Sequence, residues 1–188
     1  MSDPIPFATP QQWSDWLAAN HATETEVWLR LYRKSSGTAS IDWRQAVIEA
    51  LCWGWIDGVK NSEDATRWKQ RFTPRKPRST WSQINVAHVE RLIAAGRMQP
   101  AGLIHVTAAQ ADGRWDAAYC GGKNADQPED FLTALAAASD TARATYATLD
   151  RRNRYGIYYR LTTAKRSETR AKRIADFIDK LTRGAPIL

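Results

Sequence analysis

The hydrophobic period of the sequence changes near Phe72, and this change constrains the fold more than any other feature. Before it, the stretch EVWLRLYRK (26–34) alternates apolar and polar side chains, which is typical of a strand. Two further runs, 55–59 and 66–72, flank the turn-forming KNSED and predict an antiparallel pair. After Phe72 the apolar residues recur at helical spacing. The pattern predicts an α+β fold with a small antiparallel β-sheet and helices in the N-terminal part, and a mainly α-helical C-terminal part.

Helix start signals support this division. Thr9 precedes Pro10, and a threonine N-cap followed by proline at the first helical position is a common helix start. Asp42 and Gln45 have the spacing of a capping box before a second apolar stripe. Further helices are predicted to begin near Ser79, at Pro100 and after Pro128.

These patterns divide the chain into a small α+β part at residues 1–72 and a basic connector with a helical part at residues 73–188. A chain of 188 residues is long enough to bury one proper core. Because tryptophan-rich segments of both parts flank the connector, we expect the two parts to share one core and to unfold as one cooperative unit.

The net charge of +7 is unevenly distributed. Residues 1–64 carry five basic and nine acidic side chains, whereas residues 65–188 carry twenty-two basic and eleven acidic ones. This asymmetry suggests an anionic partner, which could be nucleic acid, an anionic small molecule or phosphate-bearing ligand, or a charged lipid surface, although simple solubility also accounts for it. No apolar stretch is long enough for a bilayer span and no secretory signal is visible, so we expect a cytoplasmic protein without a transmembrane segment.

One segment, residues 65–89, contains six basic residues and no acid. Its arginines precede serines at a predicted helix start, where free backbone N–H groups favour anions. Arginine also suits bidentate recognition of phosphate or carboxylate. The segment therefore predicts an anion-binding site made of Arg71, Arg75, Arg78, Ser79 and Ser82. The charge pattern by itself favours a different interpretation, a solvated edge strand whose charges discourage aggregation.

Aromatic residues crowd around the same segment, and the chain has nine tryptophans in all. Most of them are expected in the core, but some are candidates for the wall of a pocket. The predicted pocket-lining residues are Trp55, Asp57, Phe72 and Trp81. Among these rings desolvation would raise the pKa of Asp57 unless an arginine compensates, and the alternative role of Asp57 is to cap a turn with Gly58.

A second basic region, residues 151–173, holds nine basic residues and one acid. Interleaved tyrosines could stack on bases while arginines contact phosphates, as in proteins that bind single-stranded nucleic acid. However, Tyr155, Tyr158 and Tyr159 form one stripe at helical spacing, which is more typical of a core. Nucleic acid is therefore the less favoured partner.

Catalytic and metal-binding motifs are not visible in the sequence. It has no nucleophile elbow, zinc-protease motif or phosphate-binding loop, and its three histidines are isolated. We therefore predict no catalytic residue, no metal and no cofactor, and favour a non-enzymatic protein. The alternative is an enzyme that acts on a phosphorylated or carboxylated small molecule, with Asp57 as acid/base.

Five stretches together resemble a known family. They are ALCWGWIDGVKN (50–61), RFTPRKPRSTWSQIN (71–85), RLIAAGRMQPAGL (91–103), ADGRWDAAY (111–119) and AKRSETRAKRI (164–174). In this order and spacing the chain resembles the YdeI/OmpD-associated, bacteriocin-protection family from about Trp13 to Gly184.

The resemblance implies a bacterial protein that is linked by name to an outer-membrane porin and to protection against bacteriocins and antimicrobial peptides, without a settled biochemical activity. The connector is the most recognisable stretch, so the resemblance favours an anion site there over a decorative edge. The expected function is that of a binding protein for an anionic ligand or a protein partner, with a role in envelope stress tolerance.

Overall fold

The computed structural model describes residues 3–121 and 125–188 and confirms the α+β fold. The chain forms two compact units, Met1–Ala118 and Tyr119–Leu188, and each contains a hydrophobic cluster of its own. This division does not coincide with the predicted boundary after residue 72. The two helices that follow the connector pack against a helix of the first unit, because their apolar faces complete its core.

The first unit contains four strands and four α-helices among its described residues, together with a 3-10 turn at Lys34–Ser36. The strands are β1 (Ile5–Pro6), β2 (Val27–Tyr32), β3 (Trp55–Ser62) and β4 (Arg67–Pro74), and the helices are α1 (Pro10–Asn20), α2 (Trp43–Cys52), α3 (Gln83–Ala94) and α4 (Pro100–Ala111). The predicted starts of α1 and α2 are confirmed. Thr9 accepts a hydrogen bond from the backbone N–H of Gln12, and Asp42 and Gln45 form the capping box.

The four strands form one sheet in the order β1-β2-β4-β3. Strand β4 pairs antiparallel with β2 and with β3, as the alternating patterns predict. Strand β1, however, pairs parallel with β2, so the sheet is mixed rather than entirely antiparallel. Helix α1 supplies the crossover connection that a parallel pair requires. A strand of two residues shows no alternation, and the sequence therefore did not predict it.

A bulge interrupts the pairing of β3 and β4 between Asp57 and Lys60. The side-chain amide of buried Gln70 donates to the carbonyl oxygen of Gly58 at 2.9 Å, which satisfies a group that the bulge removes from the ladder. Bulges bend a strand and redirect its side chains. Asp57 is thus the last regularly paired residue before the irregular part of β3.

Helix α1 packs on the sheet through its buried aromatic face. Trp13 is fully buried, its indole N–H donates to the carbonyl oxygen of Ala46 at 3.0 Å, and its ring lies 5.6 Å from that of Phe72. This tryptophan of α1 therefore contacts both α2 and β4, and its hydrogen bond satisfies the indole nitrogen inside the core.

The second unit is helical in its described part. It consists of α5 (Glu129–Ala136), α6 (Asp140–Thr148), α7 (Arg151–Thr162) and α8 (Ser167–Arg183). Phe131, Ile157 and Leu181 are among its buried apolar residues, and Arg170 of α8 forms an ion pair with Asp130 of α5 at 2.6 Å. No helix in the described ranges has both the length and the apolar character needed to span a bilayer.

Cooperative unfolding of the whole chain stays a prediction, and the distribution of aromatic residues allows a direct test. All nine tryptophans lie in the first unit, whereas Phe131 belongs to the core of the second. Phe131→Ala should destabilise the second unit by roughly 3 to 5 kcal/mol. If the chain unfolds as one unit, the thermal midpoint from tryptophan fluorescence should fall together with the midpoint from far-ultraviolet circular dichroism. An unchanged tryptophan midpoint would contradict the single unit.

Candidate functional site

The connector, residues 75–82, joins β4 to α3 and turns back on itself around Arg75. The backbone N–H of Arg75 donates to the carbonyl oxygen of Gly54 at 2.8 Å, and its side chain is buried, with the residue only 4% exposed. One guanidinium nitrogen donates to the carbonyl oxygen of Thr80 at 2.8 Å, and the guanidinium lies 3.7 Å from the centre of the Trp81 ring. Arg75 therefore closes the connector by a charge-assisted hydrogen bond and a cation–π contact.

Further contacts attach the connector to the segment after α4. The ring of Trp81 is buried and lies 4.9 Å from that of Trp115. Arg114 donates to the carbonyl oxygen of Ser79 at 2.8 Å and forms an ion pair with Asp112 at 2.8 Å. The backbone of the connector thus accepts hydrogen bonds from two guanidinium groups, that of Arg75 within the connector and that of Arg114 after α4.

The serines of the connector have different local roles. Helix α3 begins later than predicted, because Ser82 rather than Ser79 is its N-cap and accepts from the backbone N–H of Asn85 at 3.2 Å. The hydroxyl of Ser79 accepts from the backbone N–H of Lys76 at 3.1 Å within a turn. Both hydroxyl groups therefore support the local backbone.

The remaining predicted anion-binding residues do not share the environment of Arg75. Arg71, on β4, pairs with Glu26 at 2.6 Å. Arg78 is exposed, and no hydrogen bond or ion pair joins it to another described residue. The structure brings Arg75, Ser79 and Ser82 together in one turn of chain, while Arg71 belongs to a surface ion pair. Anion binding by the connector stays a prediction.

Asp57 is half-buried beside the bulge, and its carboxylate accepts from the indole N–H of Trp43 at 3.1 Å. Desolvation raises the pKa of this carboxyl group above its usual range, and the Trp43 hydrogen bond and the positive charge of Arg75 offset only part of the effect. Burial lowers the pKa of His105, and the positive charges of Arg75 and Arg114 lower it further. The region around the connector is therefore electropositive, and the neighbouring carboxyl group of Asp57 on β3 has a raised pKa because it is desolvated.

The other predicted pocket residues divide into two classes. Trp81 lies against Arg75, as described above. Trp55 and Phe72 belong to the core of the first unit, where Trp55 donates to the carbonyl oxygen of His21 at 3.3 Å. Their burial of 99% or more means that they support the sheet from inside.

A cavity in the second unit was not predicted. It has a volume of about 430 Å³ and is lined by α6, α7 and the segment that precedes α5. Its polar lining includes Arg151, Arg154, Gln127 and Asp126, and its aromatic lining includes Tyr146 and Tyr155. Two arginines and one aspartate give the lining a formal charge of +1.

Arg154 is the central polar group of this cavity. Its guanidinium donates to the carbonyl oxygen of Ala147 at 2.8 Å, at the end of α6, and lies 5.1 Å from the Tyr146 ring. Gln127 donates to the carbonyl oxygen of Arg154 at 2.8 Å. Within the described residues, the Nε atom of Arg154 and the Oε1 atom of Gln127 are buried without a hydrogen-bond partner. Two residues of the cavity lining thus each carry a buried polar atom that has no partner among the described residues.

The basic region that the sequence analysis singled out contains part of this cavity. Tyr158 is buried, as the helical stripe predicts, and its hydroxyl accepts from the backbone N–H of Cys120 at 2.8 Å. Tyr155 is half-buried and faces the cavity, whereas Tyr159 is 37% exposed. The stripe is therefore only partly core. The unused groups of Arg154 and Gln127 have no signature in the sequence, because they depend on contacts between separate segments.

Comparison with protein families divides the chain in the same way as its structure. A family described as "Domain of unknown function (DUF8412)" matches residues 5–105, which is more than half of the chain. The chain belongs to the DUF8412 family. A second model, OmdA, described as "Bacteriocin-protection, YdeI or OmpD-Associated", matches residues 124–184 and confirms the family resemblance over this part of the chain, not from Trp13 onwards. No curated protein and no solved structure matches the chain.

The two matches assign the features described above to different families. The connector, with Arg75 and Trp81, lies in the DUF8412 match, although it contributed to the resemblance to the OmdA family. The cavity around Arg154 lies in the OmdA match, as does the stretch AKRSETRAKRI. We refer to the two compact units as the DUF8412 unit and the OmdA unit.

Arg75 should contribute to stability rather than to ligand binding alone. Arg75→Met removes the hydrogen bond to Thr80 and the contact with Trp81, and should lower the free energy of unfolding by roughly 2 kcal/mol. The matched control is Arg78→Met, which should change it by less than about 0.5 kcal/mol because Arg78 is exposed. Urea unfolding followed by tryptophan fluorescence measures both. A stable Arg75→Met variant that binds anions poorly would instead support the role predicted from sequence.

The raised pKa of Asp57 predicts a pH-dependent effect on stability. The folded state binds this proton more tightly than the unfolded chain does. The free energy of unfolding therefore falls as the pH rises from the usual aspartate pKa through the raised pKa of the folded state. Asp57→Asn should therefore stabilise the protein at neutral pH, and this gain should disappear below the usual aspartate pKa. Denaturant unfolding across the pH range measures it, with Asp116→Asn as the exposed control. A loss of stability at neutral pH would show that the carboxylate is favourably paired.

Proposed function

We propose that this protein is a non-enzymatic binding protein for a small anionic ligand, and that the cavity around Arg154 in the OmdA unit is its binding site. The observation that carries the proposal is the buried Nε–H of Arg154, which has no partner among the described residues and belongs to a side chain of the cavity lining. An unused buried donor costs about 1 to 3 kcal/mol, and a ligand that accepts from it recovers this free energy after a small side-chain movement.

The lining indicates the chemical class of the ligand. A guanidinium group matches carboxylate or phosphate oxygens, and exposed Arg151 adds a second positive charge. The unused Oε1 of Gln127 accepts from a hydroxyl or amide group of the ligand. The volume of about 430 Å³ is that of a small-molecule site. We therefore favour a small carboxylate or phosphate that also carries a hydrogen-bond donor.

The name of the OmdA family suggests a biological context for such binding. We propose that ligand binding in this unit contributes to protection against bacteriocins or antimicrobial peptides and to envelope stress tolerance, with the protein acting in the cytoplasm. The support is the family match over residues 124–184 together with the positive lining of a cavity inside that match.

The test compares neighbouring arginines on α7. Arg151→Met removes a charge from the cavity lining, whereas Arg152→Met removes an exposed charge that does not line it. Calorimetric titration with phosphate, citrate and phenylphosphate at two salt concentrations should show a weaker affinity for Arg151→Met and an unchanged affinity for Arg152→Met. Gln127→Met should lower the affinity only for ligands that carry a hydrogen-bond donor. Arg154→Met should lower affinity roughly tenfold or more.

Two results would contradict the proposal. Equal losses for Arg151→Met and Arg152→Met would mean that the anions respond to overall charge. A loss confined to Arg78→Met would place binding at the connector, as the sequence predicts. Arg154 also caps α6, so the folding of Arg154→Met is checked by circular dichroism, and Arg151→Met tests the site independently. Binding that requires a long oligonucleotide and falls steeply with salt would favour nucleic acid instead.

A further inference from the structure

The DUF8412 unit contains a second cavity that the proposed function does not use. It has a volume of about 500 Å³ and lies between α1, α2 and the turn that joins α3 to α4. Its lining combines one aromatic ring with polar side chains from all three segments. Those used below are Gln11, Ser14, Glu49, Trp53, Arg97 and Gln99.

An ion pair makes the charged lining of this cavity neutral. Glu49 of α2 is buried, with 6% exposure, and accepts from the Nη2 atom of Arg97 at 2.5 Å. The side chain of Arg97 is 48% exposed and extends from the turn after α3. The pair joins residues that are 48 positions apart in the chain. Because the two charges compensate each other, a charged ligand would have to break the pair or leave its own charge unpaired.

The remaining polar groups are hydroxyl and amide groups, which both donate and accept. Ser14 lies with its hydroxyl oxygen 3.5 Å from the indole nitrogen of Trp53. Gln99 uses its amide N–H to donate to the carbonyl oxygen of Arg97 at 3.2 Å, and its amide oxygen is by its chemistry an acceptor. Gln11 lies on exposed α1 surface at the margin of the cavity. Gln11 also donates to the carboxylate of Asp15 at 2.7 Å. Each of these side chains can still form a further hydrogen bond, and an apolar ligand would bury that group without a partner.

Trp53 supplies the apolar surface that a ring-shaped polar ligand needs. The residue is half-buried between the end of α2 and the start of β3, and its ring packs 4.7 Å from that of His21. A fixed indole ring beside mixed donors and acceptors suits a molecule whose faces carry C–H groups and whose edges carry hydroxyl groups.

We propose that this cavity binds a neutral, polyhydroxylated ring of saccharide size, with the Glu49–Arg97 pair and the amide and hydroxyl groups hydrogen-bonded to its hydroxyls and the ring packed against Trp53. The site is independent of the anion site, because it lies in the other unit and its charged groups cancel.

Three sugars with the same ring and different charges test this proposal. Glucose is neutral, glucuronate is negative and glucosamine is positive at neutral pH. Binding is measured by ligand-observed nuclear magnetic resonance titration of the full chain. The unmodified protein should bind glucose more tightly than either charged sugar.

Removing one member of the pair should change this preference in opposite directions. Glu49→Gln leaves Arg97 positive and should favour glucuronate over glucosamine, whereas Arg97→Met leaves Glu49 negative and should favour glucosamine. Each change should be roughly tenfold, as for one charge-assisted contact. A pair that only joins α2 to the turn would alter stability without reversing the preference, so the reversal is the informative result.

A blocking variant keeps the test valid if a pair variant does not fold. Gln11→Trp adds bulk at the margin of the cavity without touching the pair and should abolish glucose binding. Its matched control is Gln110→Trp on exposed α4 surface, which should bind normally. Three results would overturn the proposal. They are unchanged glucose binding in Gln11→Trp, no binding of any of the three sugars, and equal binding of all three. The anion titrations of the OmdA unit are unaffected by each of these outcomes.

Discussion

The fold of the connector depends on the burial of one charged group, the guanidinium of Arg75. A buried cation is tolerated only where hydrogen bonds and polarisable surfaces replace water. Here the carbonyl oxygen of Thr80 and the face of Trp81 do so, and both are reached only if the chain turns back after β4. The same turn places Ser82 where it caps α3. The position of α3 therefore depends on how this one charge is satisfied.

Ion pairs across the sheet balance charges in the DUF8412 unit that look unbalanced when only the segment 65–89 is considered. The acid-free segment appears strongly basic, but β4 lies beside strands and loops that carry acids. Glu26 pairs with Arg71, and Glu63 pairs with Arg30 at 2.8 Å. Lys69 lies 5.2 Å from the ring of Trp28 on the neighbouring strand. Arg71 and Lys69 thus have partners that are distant in sequence, whereas Arg67 forms ion pairs with the nearby Glu63 and Asp64.

The cavities of the two units suit different ligands because their linings differ in net charge. In the OmdA unit the lining keeps a net positive charge, and Arg154 retains a buried donor without a described partner. In the DUF8412 unit Glu49 and Arg97 compensate each other, so hydroxyl and amide groups determine what fits. The net charge of +7 for the whole chain therefore does not predict the charge of either cavity lining.

The sequence by itself determined the fold class, the helix starts at Pro10 and Trp43, the three longer strands and the resemblance to the OmdA family. Periodicity, caps and turns depend on neighbouring residues, so they can be read from a single chain. The tertiary structure decided the parallel pairing of β1 and the partners of Arg71 and Arg75. It also decided the existence of both cavities. These features depend on contacts such as Arg71 with Glu26, 45 positions apart, and no local pattern encodes a contact of that separation.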